Sequence, residues 1–249
     1  MRKLLIICGP TGTGKTALAS RLAKKFNGEL ISADSRQVYR GMDLLTAKER
    51  PDVLIWLYDV VSPGEEFSVS HWVKLARQAI ADIQKRKKLP IVVGGTGLYI
   101  KALLHPLETI DIPPNKTLRK KLQKLSISEL QNLIPRGKMN ESDWNNPRRL
   151  IRRIEIMKSK RSNTYGKKFD YIMIGLTAPL FELYKRIDDR IQERLREGME
   201  ADAILLAKKE RSIARKQLTW FKKQKDVHWF DISQKGFEDD ILKLLYEQN

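Results

Sequence analysis

Eight residues, Gly9-Pro10-Thr11-Gly12-Thr13-Gly14-Lys15-Thr16, constrain the fold of this chain more than any other stretch. They follow the apolar run Leu4 to Cys8 and precede Ala17 to Phe26, where apolar residues recur at helical spacing. A strand, a glycine-rich turn and a helix in that order match the phosphate-loop pattern G-x-x-x-x-G-K-[ST]. Each residue type has a physical task. Glycines let backbone N–H groups curl around phosphate oxygens, and the start of the helix adds a partial positive charge. Lys15 reaches the outer phosphates, and the Thr16 hydroxyl can ligate Mg²⁺. All eight residues are therefore candidate diphosphate- or nucleotide-binding positions, and Thr16 is the candidate metal ligand. Taken alone, the loop points to an ATP-binding phosphoryl transferase.

The rest of the chain continues the strand-and-helix rhythm. Strands are expected at Glu29 to Ala33, Val53 to Tyr58, Leu89 to Val93, Asp170 to Thr177 and Val227 to Ile232. Helices are expected at Val69 to Lys88, Leu98 to Leu104, Pro147 to Lys160, Pro179 to Arg196, Ala201 to Arg211 and Phe237 to Tyr246. This βαβ order implies an α/β fold, a phosphate-loop NTPase-like, doubly wound parallel sheet with right-handed crossovers. Ile112-Pro113-Pro114 breaks the rhythm, and residues up to Asn146 are short, basic and helical. The expected organisation is a catalytic core over residues 1–112 and 146–249, with a small helical insertion at 113–145.

Composition narrows the partners. The 249 residues contain one cysteine and three scattered histidines, which excludes a disulfide framework and a zinc site of ordinary spacing. The apolar start is too short for a leader and runs straight into the phosphate loop, and no stretch reaches membrane-span length. A cytoplasmic protein with no membrane partner is expected. The net charge is +18 and is concentrated in two places. Lys116 to Arg161 holds 14 Lys/Arg against 4 Asp/Glu, and Lys208 to Lys225 holds 8 against 1. Two such runs in a phosphate-binding chain favour a nucleic-acid partner.

Four further motifs narrow the reading. Asp34-Ser35-Arg36-Gln37-Val38-Tyr39-Arg40-Gly41-Met42-Asp43 follows the second strand, and Gly94-Gly95-Thr96-Gly97-Leu98-Tyr99 follows the fourth. Asn146-Pro147-Arg148-Arg149 and Lys216-Gln217-Leu218-Thr219-Trp220-Phe221 come later. Together with the phosphate loop they resemble the tRNA dimethylallyltransferases (tRNA isopentenyltransferases), in the family's order, from residue 4 to about residue 230. The resemblance implies Mg²⁺-dependent transfer of a dimethylallyl group from dimethylallyl diphosphate to N6 of adenosine 37, beside the anticodon. It implies Asp34 as the base, with Thr96 and Arg190 contacting pyrophosphate. It also implies that Asp34, Ser35, Arg36, Gln37 and Thr96 bind the tRNA base. Arg148, Arg149, Leu150, Ile151, Arg152, Lys216 and Gln217 would bind the anticodon arm, with the enzyme acting as a monomer. The chain departs from the family pattern in a shorter insertion and a missing segment between Met199 and Ala214. Ile55-Trp56 stands where a His pair is common, and Arg194 stands where Met is usual.

Position alone leaves plainer readings open. Asp34 could cap the turn after its strand, Thr96 could cap a helix, and Arg190 could pair with Glu193 or Glu197 on its own helix. Trp220 and Phe221 read as core residues. Asp59, ending a strand, could be a turn residue or a carboxylate that holds Mg²⁺ through a bound water. Three other functions share the phosphate loop: prenylation of free AMP, ADP or ATP, small-molecule phosphorylation, and silent RNA binding.

Overall fold

A computed structural model describes residues 3–105, 110, 112–135, 137, 139–159 and 168–248. The chain divides into two compact units, residues 1–105 with 168–249, and residues 106–167.

The larger unit is built on six parallel strands: β1 Leu4–Cys8, β2 Gly28–Ser32, β3 Ile55–Trp56, β4 Leu89–Gly94, β5 Tyr171–Thr177 and β6 Val227–Asp231. Their order across the sheet is β3-β2-β4-β1-β5-β6, so β1 is central. The helices in chain order are α1 Lys15–Lys25, α2 Asp43–Thr46, α3 Val69–Lys85 and α4 Gly97–Leu104. Next come α5 Lys116–Leu122, α6 Ile127–Asn132, α7 Glu141–Trp144 and α8 Pro147–Lys158 in the smaller unit. Finally α9 Leu180–Arg196, α10 Ala203–Phe221 and α11 Phe237–Glu247 return to the larger one.

The central strands β1, β4 and β5 are largely apolar because helices cover both faces. Leu5, Ile7, Leu30, Ile91, Val93, Ile172 and Ile174 form one core with Leu18 and Leu22 of α1, Leu183 of α9 and Ile241 of α11. Side chains alternate along a strand, so Leu4, Ile6, Ile31 and Val92 face the other way. There α3 packs on β2 and β4, and the indole of Trp72 donates to the Ser32 carbonyl at 2.9 Å. The doubly wound parallel sheet follows the sequence expectation. Two boundaries moved. The third strand is only two residues long, because Leu57 and Asp59 both take left-handed backbone conformations and end the pairing. The helix expected to stop at Arg211 continues to Phe221, since no glycine or proline interrupts it. The expected helical limit at Lys160 lies outside the described residues.

The smaller unit has its own core of Leu122, Leu130, Ile134, Leu150, Ile151 and Ile154. Helix α8 belongs to it, whereas the sequence reading returns the chain to the α/β core at residue 146. The reason is packing: α8 carries half of that six-residue core and lies on α5, α6 and α7. Buried Glu155 of α8 accepts from both ends of the Arg119 guanidinium, at 2.8 and 3.0 Å, and from the Asn115 amide at 2.8 Å. A local rule explains Asn146-Pro147-Arg148-Arg149. The Asn146 side chain caps α8 by accepting from the amides of Arg148 and Arg149, and Pro147 occupies the first turn. The motif starts a helix and sets two arginines on its exposed end.

Candidate functional site

The strands run parallel, so the segments after β1, β2 and β4 all leave the sheet at one edge. The register pairs Cys8 with Gly94 and Ser32 with Val93. The phosphate loop, the Asp34 run and the Gly94–Gly97 turn are therefore brought side by side, where open parallel sheets bind ligands.

The phosphate loop is folded tightly against β5. At Gly9, with φ of 135°, a Cβ would lie 2.3 Å from the Leu176 carbonyl oxygen, so only glycine fits. The Thr13 hydroxyl and the Lys15 ammonium both donate to the Pro10 carbonyl, at 2.9 and 2.6 Å. Helix α1 starts without a side-chain cap, which leaves its first amides for a ligand. Burial in the loop, then the charge of Arg190, brings the Lys15 pKa down to about 8. Asp34 and Glu49 oppose that shift.

The loops after β2 and β4 clamp one another. The Thr96 amide donates to the Ala33 carbonyl at 3.0 Å, and the Ser35 amide donates to the Thr96 hydroxyl at 3.0 Å. Thr96 stands at the N-cap position of α4, but its side chain makes no cap bond. Its hydroxyl serves the Asp34 loop instead. Asp34 does take part in the turn, its Oδ1 accepting from the Arg36 amide at 2.8 Å. Its Oδ2 has no partner among the described residues. The Gln37 Oε1 accepts from the Ser32 hydroxyl at 3.2 Å, and Arg36 donates to the Leu45 carbonyl at 2.9 Å.

Two cavities meet here. A small one of about 60 Å³ is lined by Lys15, Thr16, Gln37, Glu49 and Tyr58 among others. A wider one of about 280 Å³ is lined by Ser35, Arg36, Thr96, Glu210 and Lys216 among others. Thr11, Asp34, Thr46, Arg190 and Gln217 border both. Asp34 therefore stands on the wall between a phosphate cradle and a roomier chamber. A larger cavity of about 600 Å³, between α9 and α10, shares no lining residue with either.

Arg190 does not pair along its own helix. It donates to the Thr11 hydroxyl at 2.6 Å and to Glu210 at 2.9 Å. Gln217 accepts from the Thr11 amide at 2.8 Å, so this residue of the basic C-terminal run reaches the phosphate loop itself. Asp59 is occupied: it pairs with buried Lys48 at 2.6 Å and with Arg50 at 3.0 Å. That network, which includes Asp43, holds the Asp34–Asp43 run in place. Besides Asp34, the carboxylate that lines the small cavity is Glu49. Sequence reasoning passed over Lys48, Glu49 and Glu210, which belong to no local motif. Only a charged residue within the apolar spacing of α10 marked Glu210.

Two assignments are corrected. Leu150 and Ile151, which the resemblance sets against tRNA, are 0% and 7% exposed inside the helical unit's core. They point inward because α8 is amphipathic and these positions lie on its buried stripe. Arg149 pairs with Asp143, and Arg152 is bonded to Glu155 and to the Ile112 carbonyl. Arg148 is exposed and has no side-chain partner among the described residues. Trp220 is half-buried against α4, and Phe221 is fully buried. A Cβ at Gly97 would fall 2.0 Å from the Trp220 indole.

The donor set suits Mg²⁺. The small cavity offers the Thr16 hydroxyl and the Asp34 and Glu49 carboxylates, all hard oxygens. Among the described residues no cluster of three or more His, Cys, Asp or Glu could hold a metal. Cys8 is no nucleophile: burial pushes its thiol up to about 12. No described helix is long and apolar enough to cross a membrane.

Comparison with known proteins adds a second line of argument. A family model described as IPP transferase matches residues 37–210, and one described as Isopentenyl transferase matches residues 2–53. The chain is 34% identical to a tRNA dimethylallyltransferase of Geobacillus thermodenitrificans, covering 93% of this chain and 91% of the relative. It is 32% identical to one of Finegoldia magna, covering 96% and 94%. That alignment runs over 296 positions, more than the chain's 249 residues, so the relative has segments this chain lacks. The structure resembles that of a full-length tRNA isopentenylpyrophosphate transferase from Bacillus halodurans, with TM-score 0.69, 32% identity and coverage of 98% and 94%.

Proposed function

The chain belongs to the IPP transferase family, whose members among its relatives are tRNA dimethylallyltransferases, and from that premise we propose its reaction. It transfers a dimethylallyl group from dimethylallyl diphosphate to N6 of adenosine 37, beside the tRNA anticodon, and releases pyrophosphate. The observation that carries this reading is Asp34 on the shared wall of the two cavities.

In an allylic diphosphate the breaking C–O bond leaves positive charge on carbon and negative charge on pyrophosphate. The phosphate-loop amides, Lys15 and Arg190 bind that developing anion, with Thr11 and Gln217 fixing the loop's shape. Thr16 and Glu49 would hold Mg²⁺, which supplies further charge neutralisation on the leaving group. The adenine N6 amine is a weak nucleophile because its lone pair is delocalised into the ring. Asp34 Oδ2 accepts one N6 proton as the new C–N bond forms, while Oδ1 stays on the Arg36 amide. Thr96 holds Ser35, and through it the loop that carries Asp34. The base must be unstacked to enter, at a cost of a few kcal/mol. Ser35 and Arg36 line the wider chamber and read its edge. Arg148 in the helical unit and Lys216 beside the wider chamber meet phosphates of the anticodon arm. The protein acts as a monomer.

The test is incubation with labelled dimethylallyl diphosphate and either bulk tRNA or AMP, followed by nuclease digestion and mass spectrometry. Prenylated adenosine at position 37 is expected. Label only in AMP would assign the reaction to free nucleotides, and acceptor-dependent ATP consumption without prenyl transfer would make it a kinase. In the same assay Asp34→Asn lowers turnover at least a thousandfold, with tRNA binding unchanged. Near-normal turnover would remove Asp34 from the chemistry.

A further inference from the structure

Arg190 and Arg194 lie one turn apart on α9 and present like charges to the same interior. Between them sits a single carboxylate from α10. Glu210, 3% exposed, accepts from Arg190 Nη2 at 2.9 Å on Oε2 and from Arg194 Nη2 at 2.8 Å on Oε1. Arg194, 4% exposed, donates through Nη1 to the Leu44 carbonyl at 3.0 Å and through Nε to the Arg190 carbonyl at 3.3 Å. Arg190 Nη2 also donates to the Thr11 hydroxyl at 2.6 Å, and its buried Nε has no partner.

We propose that Glu210, backed by Arg194, is a positioning residue that aims Arg190 at the phosphate cradle. This rests on the reading of that cradle as the diphosphate site. A guanidinium on a long, rotamer-rich side chain gains little for an anion unless its orientation is fixed beforehand. Glu210 and the Thr11 hydroxyl share Nη2, which fixes the guanidinium and leaves Nη1, without a partner among the described residues, for the ligand. Arg194 in turn fixes Glu210, because a buried carboxylate shared by two arginines cannot rotate without stranding a charge. The same Arg194 holds Leu44 in α2, whose Thr46 borders both cavities. One ion-paired hub thus ties the anion-binding arginine to the wall of the site.

The test measures inorganic pyrophosphate binding by calorimetry, and kcat and KM for prenyl transfer, in a double-mutant cycle. Glu210→Gln is expected to weaken pyrophosphate binding about tenfold and raise the donor KM, with the tRNA KM unchanged. In an Arg190→Gln background the same substitution changes binding less than twofold, because its effect passes through Arg190. Arg194→Met with Glu210→Gln removes the buried charge pair together and serves as the variant that keeps its fold. It shows the same tenfold loss with a cooperative thermal transition. A tenfold loss that persists without Arg190, or no loss when Arg190 is present, overturns the proposal and leaves the diphosphate site standing. Unchanged pyrophosphate affinity in Arg190→Gln alone instead sinks the reading beneath it, and the proposal with it.

Discussion

Lys15 offers a pH experiment whose sign and size follow from its surroundings. Burial and the neighbouring Arg190 lower its pKa from 10.5 to about 8, so in the free protein it is half neutral near pH 8. A bound diphosphate favours the ammonium and raises that pKa again. A cationic group whose pKa rises on binding contributes fully below its free-state value. Its contribution is lost as pH climbs from about 8 towards the bound-state value. Each pH unit above 8 therefore weakens donor binding about tenfold, or about 1.4 kcal/mol, as a proton must be taken up with the ligand. Calorimetry with dimethylallyl diphosphate between pH 7 and 9.5 measures this, since the phosphate's own ionisation lies lower, near pH ~6. Two buffers of different protonation heat should report close to one proton taken up at pH 9. Lys15→Arg keeps its charge throughout and should give a flat profile. Equal affinity at pH 7 and pH 9, or the same slope in Lys15→Arg, would refute the reasoning.

Three further outcomes are expected. Gly97→Ala puts a methyl into the Trp220 indole and should cost about 2 kcal/mol of stability, read as a lowered Tm; an unchanged Tm would contradict the packing. Arg86, then Lys88 and Trp56, hold the Glu29 carboxyl down at about 2 against the cost of its burial. A depressed carboxylate stabilises the fold above its unfolded pKa of about 4.5, and that support is lost as pH falls towards 2. Acid unfolding followed by circular dichroism should show Glu29→Gln less stable at pH 7 by roughly 3 kcal/mol, a gap that closes by pH 2. A gap independent of pH would rule out the carboxylate as its source. Arg148→Ala should weaken tRNA binding and reduce the salt slope by about one contact, and an unchanged slope would take Arg148 out of the interface.

The parts of the site that were legible in the sequence are those built by neighbours in the chain. The phosphate loop is one, because glycines, Lys15 and Thr16 act through the backbone they sit on. The parallel sheet is another, since apolar runs alternating with amphipathic segments leave few topologies. Asp34 was legible as a residue at a strand end, yet its double duty, one oxygen on Arg36 and one facing the cavities, needed coordinates. Leu150 and Ile151 show motif matching overruled by periodicity: they share a helical stripe with Ile154, and the stripe is buried. Asp59 sits at the end of a strand but spends its charge on Lys48 and Arg50, partners chosen by the fold of the loop. Glu210 pairs across two helices at separations of 16 and 20 residues, and no local pattern encodes such a meeting.

The unbroken run of α10 has a mechanical consequence. Its nineteen residues make a beam of about 28 Å, and three successive supports hang from it: Glu210 under Arg190, Gln217 under Thr11 and Trp220 against Gly97. A stiff beam cannot shift one support alone. Any load that tilts α10 loosens the anion-binding arginine, the phosphate loop and the α4 turn in the same movement, so the reaction centre tightens or slackens as a single body.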